Sequence, residues 1–155
     1  MISFNLLNRL IGLLRRISIL SKRATFLFSL MANTTPAFVA QEKSVTRRDW
    51  KDDYAKRFKK NELIQGWNRS PRFQGKPIGI IRLIETPYQE NTFLMPEEDY
   101  EKEGFQYLDR NSHLKTGVYK DKNLKEFFDD WKRNALLLWV VRFEYVEVFG
   151  DKQYE

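Results

Sequence analysis

"LLLWVVRFEYVEVF", Leu136 to Phe149, is a run of β-branched and aromatic side chains, the types that suit a pleated, packed surface. Alternation puts Trp139, Val141, Phe143 and Tyr145 on one face and Arg142 and Glu144 on the other. A long, half-buried strand is predicted. Just before it, "NLKEFFDDWKRNA" places Leu124, Phe127, Phe128 and Trp131 on one helical face, with Asn123 and Glu126 at the spacing of a capping-box variant. This predicts a helix packed on the sheet that the strand belongs to.

Further back, "KPIGIIRLIET", Lys76 to Thr86, is rich in isoleucine and closed by Pro87, and reads as a second strand. "ELIQGWN", residues 62 to 68, reads as a shorter strand, followed by a turn marked by Pro71 and Gly75. "MPEEDYEKEGF" has proline at a helix start, acids in its first turn and Gly104 just past its end, which predicts a two-turn helix. Residues 106 to 122 show no sustained periodicity and include Gly117, so a loop or insertion is expected. Trp50, Tyr54 and Phe58 recur every four residues in "WKDDYAKRFKK", a helical aromatic stripe directed at the core. Widely spaced strands with intervening helices, and no repeated strand–helix unit, predict an α+β fold, a small and partly closed barrel with flanking helices.

A chain of 155 residues with 42% hydrophobic and 15% aromatic content can bury one full core. The net charge of +6 suggests nucleic acid, but Arg9, Arg15, Arg16, Lys22 and Arg23 supply five of those charges, with no acid before residue 31. Residues 31–155 hold 22 basic against 21 acidic residues, so phosphate binding there must be argued from clusters. Residues 1–30 form a basic extension whose Ile2, Leu6, Leu10, Leu13, Leu14 and Ile17 recur at helical spacing. Three readings fit it: an organelle-targeting segment, a helix lying on a membrane surface, or sequence upstream of a true start at Met31. Its longest uncharged apolar run, around Leu10 to Leu14, is too short to span a bilayer, so no transmembrane segment is expected. A domain over residues 31–155, cytoplasmic in location, is the resulting expectation.

With no cysteine and one histidine, disulfides, thiolate zinc sites, cysteine nucleophiles and multi-histidine metal sites are excluded. The seven glycines form no Walker or dinucleotide-binding fingerprint. Asp109, Ser112 and His113 contain the residue types of a catalytic triad, but sequence adjacency does not supply its spatial arrangement, and His113 reads as a surface histidine. In "KSVTRR", Lys43 to Arg48, a bend could bring the lysine and the threonine together. A neutral lysine can take the proton of a threonine hydroxyl, provided that burial or Arg47 and Arg48 lower its pKa. By spacing alone the same residues read as a basic, solvated strand end. Trp67, Arg69, Arg72 and Tyr88 are candidates to stack on a base or grip a phosphate, although a tryptophan ending a strand more often packs. The acids from Glu97 to Glu103 read as a solvated helix face, with Glu103 placed where it could turn inward.

The order of these features resembles the ASCH domain family of the PUA-like β-barrel superfamily, over most of residues 34 to 149. "EKSVTRRDW" stands in the place of that family's lysine-x-x-threonine-x-arginine segment. "KRFKKNELIQGWN" leads into the first barrel strands, "GKPIGIIRLIETPYQ" is similar to its central strand, "MPEEDYEKEGF" to its glutamate–glycine helix and "LWVVRFEYV" to its closing strand. Gln41 occupies the place two residues before the lysine where glycine is common.

The resemblance implies a pocket for RNA or a modified nucleoside. In the amidohydrolases that some small bacterial members resemble, the acetyl group of acetylated cytidine is removed. On this pattern Thr46 is the nucleophile, Lys43 its general base, and Glu103 the group that helps protonate the leaving amine. Arg48 takes the family's arginine position, orienting Glu103 or holding substrate, and Arg47, Trp67, Arg69 and Arg72 complete the expected substrate-binding set. No metal and no cofactor are implied. The rival expectation is a non-catalytic RNA-binding module in which Arg47, Arg48, Lys51, Arg69 and Arg72 meet phosphates. A third is a protein-interaction domain with a vestigial pocket.

Overall fold

In a computed structural model, the described residues run from 33 to 149. The extension over residues 1–30, with the readings given for it, lies outside them. In chain order the elements are α1 (Thr35–Val39), β1 (Val45–Arg48), α2 (Asp52–Ala55), β2 (Leu63–Trp67) and β3 (Pro77–Leu83), then β4 (Tyr88–Asn91), α3 (Asp99–Lys102), α4 (Phe105–Arg110), α5 (Leu124–Asn134) and β5 (Leu137–Val148). The α+β class is as predicted.

All pairings are antiparallel, in the order β1-β5-β3-β2, and β4 also pairs with β5. Strand β5 is the hub. Its first half is held between β1, with Thr46 opposite Val141 and Arg48 opposite Trp139, and β4, with Tyr88 opposite Val140. Its second half pairs with β3, Leu83 opposite Phe143 and Ile81 opposite Tyr145. The predicted half-burial holds only for that second half: residues 138 to 141 are buried on both faces, because strands flank them on both sides and side chains cover both surfaces.

The expected partial closure into a barrel is not found. No ladder joins β1 to β2 among the described residues, and the sheet is open. Its apolar face is filled by side chains instead: Phe38 of α1 packs with Ile64, Ile78, Ile81, Leu83, Val141 and Phe143, flanked by Trp50, Tyr54 and Phe58. Those last three rings pack mutually at 5.2–5.4 Å, although of the three only Tyr54 lies in the single-turn helix α2, with Trp50 and Phe58 flanking it. At Gly79 an added Cβ would lie 2.9 Å from the Phe38 ring and 2.6 Å from the Glu147 carbonyl, so glycine lets the ring reach the sheet.

A second core differs from expectation. The apolar face of α5 meets α4 and the 3-10 turn Thr92–Leu94, away from the sheet, and joins Ala37, Met95, Phe105, Leu108 and Tyr119. The Asn123 side chain accepts from the Lys125 and Glu126 amides, which is the N-cap that the sequence predicts. Residues expected as loop after 105 open with α4, where Phe105 and Leu108 share one buried side. That segment is too short for a periodicity to show. The predicted two-turn helix shrinks to the single turn of α3, lengthened by turn bonds at both ends.

Candidate functional site

Strand β1 is an edge strand of four residues, yet all four are buried, and Lys43 just before it is 2% exposed. This overturns the reading of "KSVTRR" as a solvated strand end. Two arginines and a lysine taken out of water need compensating carboxylates. These come from α3 and its end. Met95, Asp99 and Glu103 lie four residues apart, so they share one face, and that face is buried. Glu97, Glu98 and Glu101 remain exposed, so the solvated-face reading holds for part of the acidic run only.

The Lys43 ammonium donates to Glu103 Oε2 at 3.0 Å and to the Glu103 carbonyl at 2.9 Å. Arg47 Nη1 donates to Glu103 Oε1 at 2.9 Å, while its Nη2 reaches Asp99 Oδ2 at 2.5 Å and Glu90 Oε1 at 2.8 Å. Arg142 clamps Asp99 with two nitrogens, at 2.8 and 3.0 Å, and its Nε donates to the Tyr88 hydroxyl. Cation and anion thus alternate from Lys43 through Glu103, Arg47 and Asp99 to Arg142. The turn is set by Gly104, whose φ of +84° and close approach to Ala37 and Lys43 leave no room for a side chain. On the other strand of the site, the Tyr145 hydroxyl donates to the Lys43 carbonyl at 2.5 Å.

Burial holds the Lys43 ammonium below the ordinary lysine value; Glu103 pulls it back up, and Arg48 and Arg47 add to the lowering. Burial likewise draws Arg48 down to about 9, with Tyr54, Glu103 and Tyr119 acting against it. For Asp99, burial opposes ionisation but the two guanidinium groups prevail, so its carboxyl lies below the usual aspartate value.

Register determines where the predicted residues point, because directly opposed residues share a face. Arg47, opposite Val140, lies on the same face as Tyr88, Glu90 and Arg142. Thr46 and Arg48, opposite Val141 and Trp139, lie on the other. The structure brings Lys43 and Glu103 together, whereas among the described residues no hydrogen bond joins the Thr46 hydroxyl to either. Arg48 is buried, with its guanidinium 5.9 Å from the Trp50 ring.

Trp67, Arg69 and Arg72 are elsewhere. They belong to β2 and its hairpin, at the sheet edge opposite β1, where Trp67 pairs with Pro77 and the neighbouring Gly79 faces Val148. Along β5 that level is seven residues beyond Val141, roughly 23 Å of extended chain. Trp67 is half-buried and donates to Gln65, whereas Arg69 and Arg72 are exposed. Tyr88, a candidate for base stacking, is half-buried beneath Arg142. Sequence reasoning did not anticipate Asp99, Glu90 or Arg142. The available signal was Asp99 lying four residues before Glu103, since a carboxylate stripe on a buried helix face requires cations opposite it.

No helix among the described residues is long and apolar enough to cross a membrane. No protein-family model matches the chain, and there is no match among curated proteins. Among solved structures, the chain is similar to the crystal structure of protein EF3133 from Enterococcus faecalis V583, described under DUF984, at 15% identity and a TM-score of 0.49, over 83% of this chain and 82% of that one.

Proposed function

We propose that the protein is an ASCH-type pocket protein that acts on a nucleoside or RNA base by hydrolysing an acyl amide such as that of acetylated cytidine. In this reading the open five-stranded sheet is a variant of the PUA-like barrel. The observation that carries the proposal is the meeting of Lys43 and Glu103, sixty residues apart in sequence, as a buried pair at 3.0 Å in a chain whose "KSVTRR" also supplies a hydroxyl three residues on. Gln41, at the place where glycine is common in the family, has a φ of +60°, a left-handed conformation that glycine adopts without strain, which is consistent with the reading.

The chemistry follows from the pair. A lysine whose pKa is lowered by burial can pass its proton to Glu103, leaving a neutral amine and a neutral acid. The amine, turned from the Glu103 carbonyl toward Thr46, takes the hydroxyl proton as Oγ bonds to the amide carbon. Glu103 then protonates the departing nitrogen as the carbon–nitrogen bond breaks, which leaves an ester on Thr46. Lys43 then returns its proton to Glu103 and, neutral again, deprotonates the water that attacks the ester carbon; Glu103 gives its proton to Thr46 Oγ as the acyl–oxygen bond breaks, which regenerates the hydroxyl, the ammonium and the carboxylate. Arg47, bonded to Glu103, keeps the carboxyl oriented throughout.

The test is to incubate the full chain with acetylated cytidine and follow release of cytidine by chromatography. Turnover by the parent and its loss in Thr46→Val and Lys43→Ala, with the fold retained, is the expected result. A folded parent that does not turn over this substrate counts against hydrolysis of it and favours the second reading, a single-stranded RNA-binding module. That reading has its own support in the β2–β3 hairpin, where Arg69, Arg72 and Phe73 are exposed together, the last at 67%. If it holds, replacing both arginines by alanine should lower the salt slope of RNA binding by about 0.7 per lost phosphate contact.

A further inference from the structure

The alternating chain of charges does not end at the proposed reaction centre. Asp99 is completely buried and holds two guanidinium groups at once, Arg142 through both oxygens and Arg47 through Oδ2. Arg47 divides its donors among three carboxylates: Nη1 goes to Glu103, and Nη2 to Asp99 and Glu90. Of these, Asp99 is sealed from water, whereas the Glu90 side chain is 17% exposed. Arg142 is in turn fixed by Tyr88 and lies 3.5 Å from Glu85. The positive charge reaching Glu103 from Arg47 is thus what Asp99 leaves over, and Glu103 is the acceptor of the Lys43 ammonium.

We infer that Asp99 is a positioning residue that governs whether Lys43 keeps its proton, acting through Arg47 and Glu103. The inference rests on the reading of Lys43 as a proton-transfer group, but its premise, the ion-pair chain, stands apart from any activity. Neutralising Asp99 leaves the Arg47 charge to Glu103 and Glu90. Glu103 is then drawn toward Arg47 and compensates Lys43 less, so Lys43 sheds its proton at lower pH. The groups facing Lys43 are few: Glu103 at the end of α3, Arg47 and Arg48 on β1, and the Tyr145 hydroxyl of β5 on the Lys43 carbonyl. Tyr119 lies close enough to feel the Glu103 charge. Among these described groups, none but Glu103 is a carboxylate bonded to the ammonium, which makes Arg47 and Asp99 the route by which charge elsewhere reaches it.

The experiment is an NMR titration of the Lys43 side chain in the full-length protein labelled at lysine Cε, with the resonance assigned by Lys43→Arg. Asp99→Asn, which keeps the shape of the carboxyl, is expected to lower the Lys43 midpoint, and Glu90→Gln to lower it less. Loss of the fold shifts the midpoint the other way, up to the ordinary lysine value, so structural collapse cannot imitate the result. Should Asp99→Asn fail to fold, Arg142→Gln serves: it releases Asp99 to Arg47, frees Glu103 for Lys43, and raises the midpoint while the near-ultraviolet spectrum stays native. An Asp99→Asn protein that is folded, with its Lys43 midpoint unmoved or raised, overturns the inference. Where acetylated cytidine is turned over, the acid limb of the rate profile should follow the same shift. Absence of turnover counts against hydrolysis of that substrate alone, and the lysine titration still decides this inference.

Discussion

Replacing Gly104 by alanine should cost about 2–5 kcal/mol, and the cost can be divided in two. A φ of +84° is unfavourable for an L-residue, which accounts for about 1–2 kcal/mol. A Cβ there would sit 2.6 Å from the Ala37 Cβ, too close for any real contact, and forcing a methyl into a packed core adds about 1–3 kcal/mol. The second part depends on one atom, so Ala37→Gly should remove it. That substitution alone costs about 1–2 kcal/mol, from helix propensity and a lost buried methyl. In its background, Gly104→Ala should cost only the backbone part, because the next neighbour, the Lys43 Cβ at 3.4 Å, is at tolerable distance. Urea unfolding of the four proteins, followed by tryptophan fluorescence, gives the coupling directly. Equal losses from Gly104→Ala in both backgrounds would refute the steric explanation, and a loss below about 1 kcal/mol would refute the backbone one as well.

Gln41→Gly relieves a left-handed side chain and should raise stability by about 0.5–1 kcal/mol in the same assay; a loss would show that the Gln41 side chain is bound. Asn123→Ala removes the N-cap of α5 and should cost about 1 kcal/mol, read as a lower urea midpoint at unchanged slope. Asp99 and Asp109 both ionise below the usual aspartate value of 3.8, so the folded state binds fewer protons than the unfolded chain just below that pH. Their stabilisation is complete above 3.8 and drains away as pH falls through the folded values, and Asp109→Asn should flatten part of that acid slope.

The strands β2, β3 and β5 were readable because each combines apolar length with a punctuating proline or glycine, and the two faces of β5 divide as alternation predicts in its second half alone. Partners were not readable. Nothing in "VTRR" says that four residues with two arginines will be sealed inside, because burial of a charge depends on carboxylates that arrive fifty residues later in the chain. The pairing of Lys43 with Glu103 was reached by resemblance, whereas Asp99 and Arg142, which complete the same network, fell on a surface reading and a strand reading. Sequence placed Trp67, Arg69 and Arg72 in one substrate-binding set with Arg47, and sheet order sends them to the far edge. The barrel expectation failed for a related reason: closure depends on whether two short edges, β1 and β2, meet, and residue pattern along each strand does not encode that.

The position of β5 in the chain has a consequence for synthesis. Among the described residues, strands β1 and β4 have β5 as their partner and β3 pairs with β2 as well, so a growing chain can form the β2–β3 hairpin but no larger sheet until residues 137–148 leave the ribosome. At typical elongation rates of about 5–20 residues per second, roughly ninety residues separating β1 from its partner keep "VTRR" waiting for several seconds. Throughout that interval Arg47 and Arg48 lack the strand that pairs with β1 and helps to bury them, although the carboxylates that bond Lys43 and Arg47, Glu90, Asp99 and Glu103, have already been made.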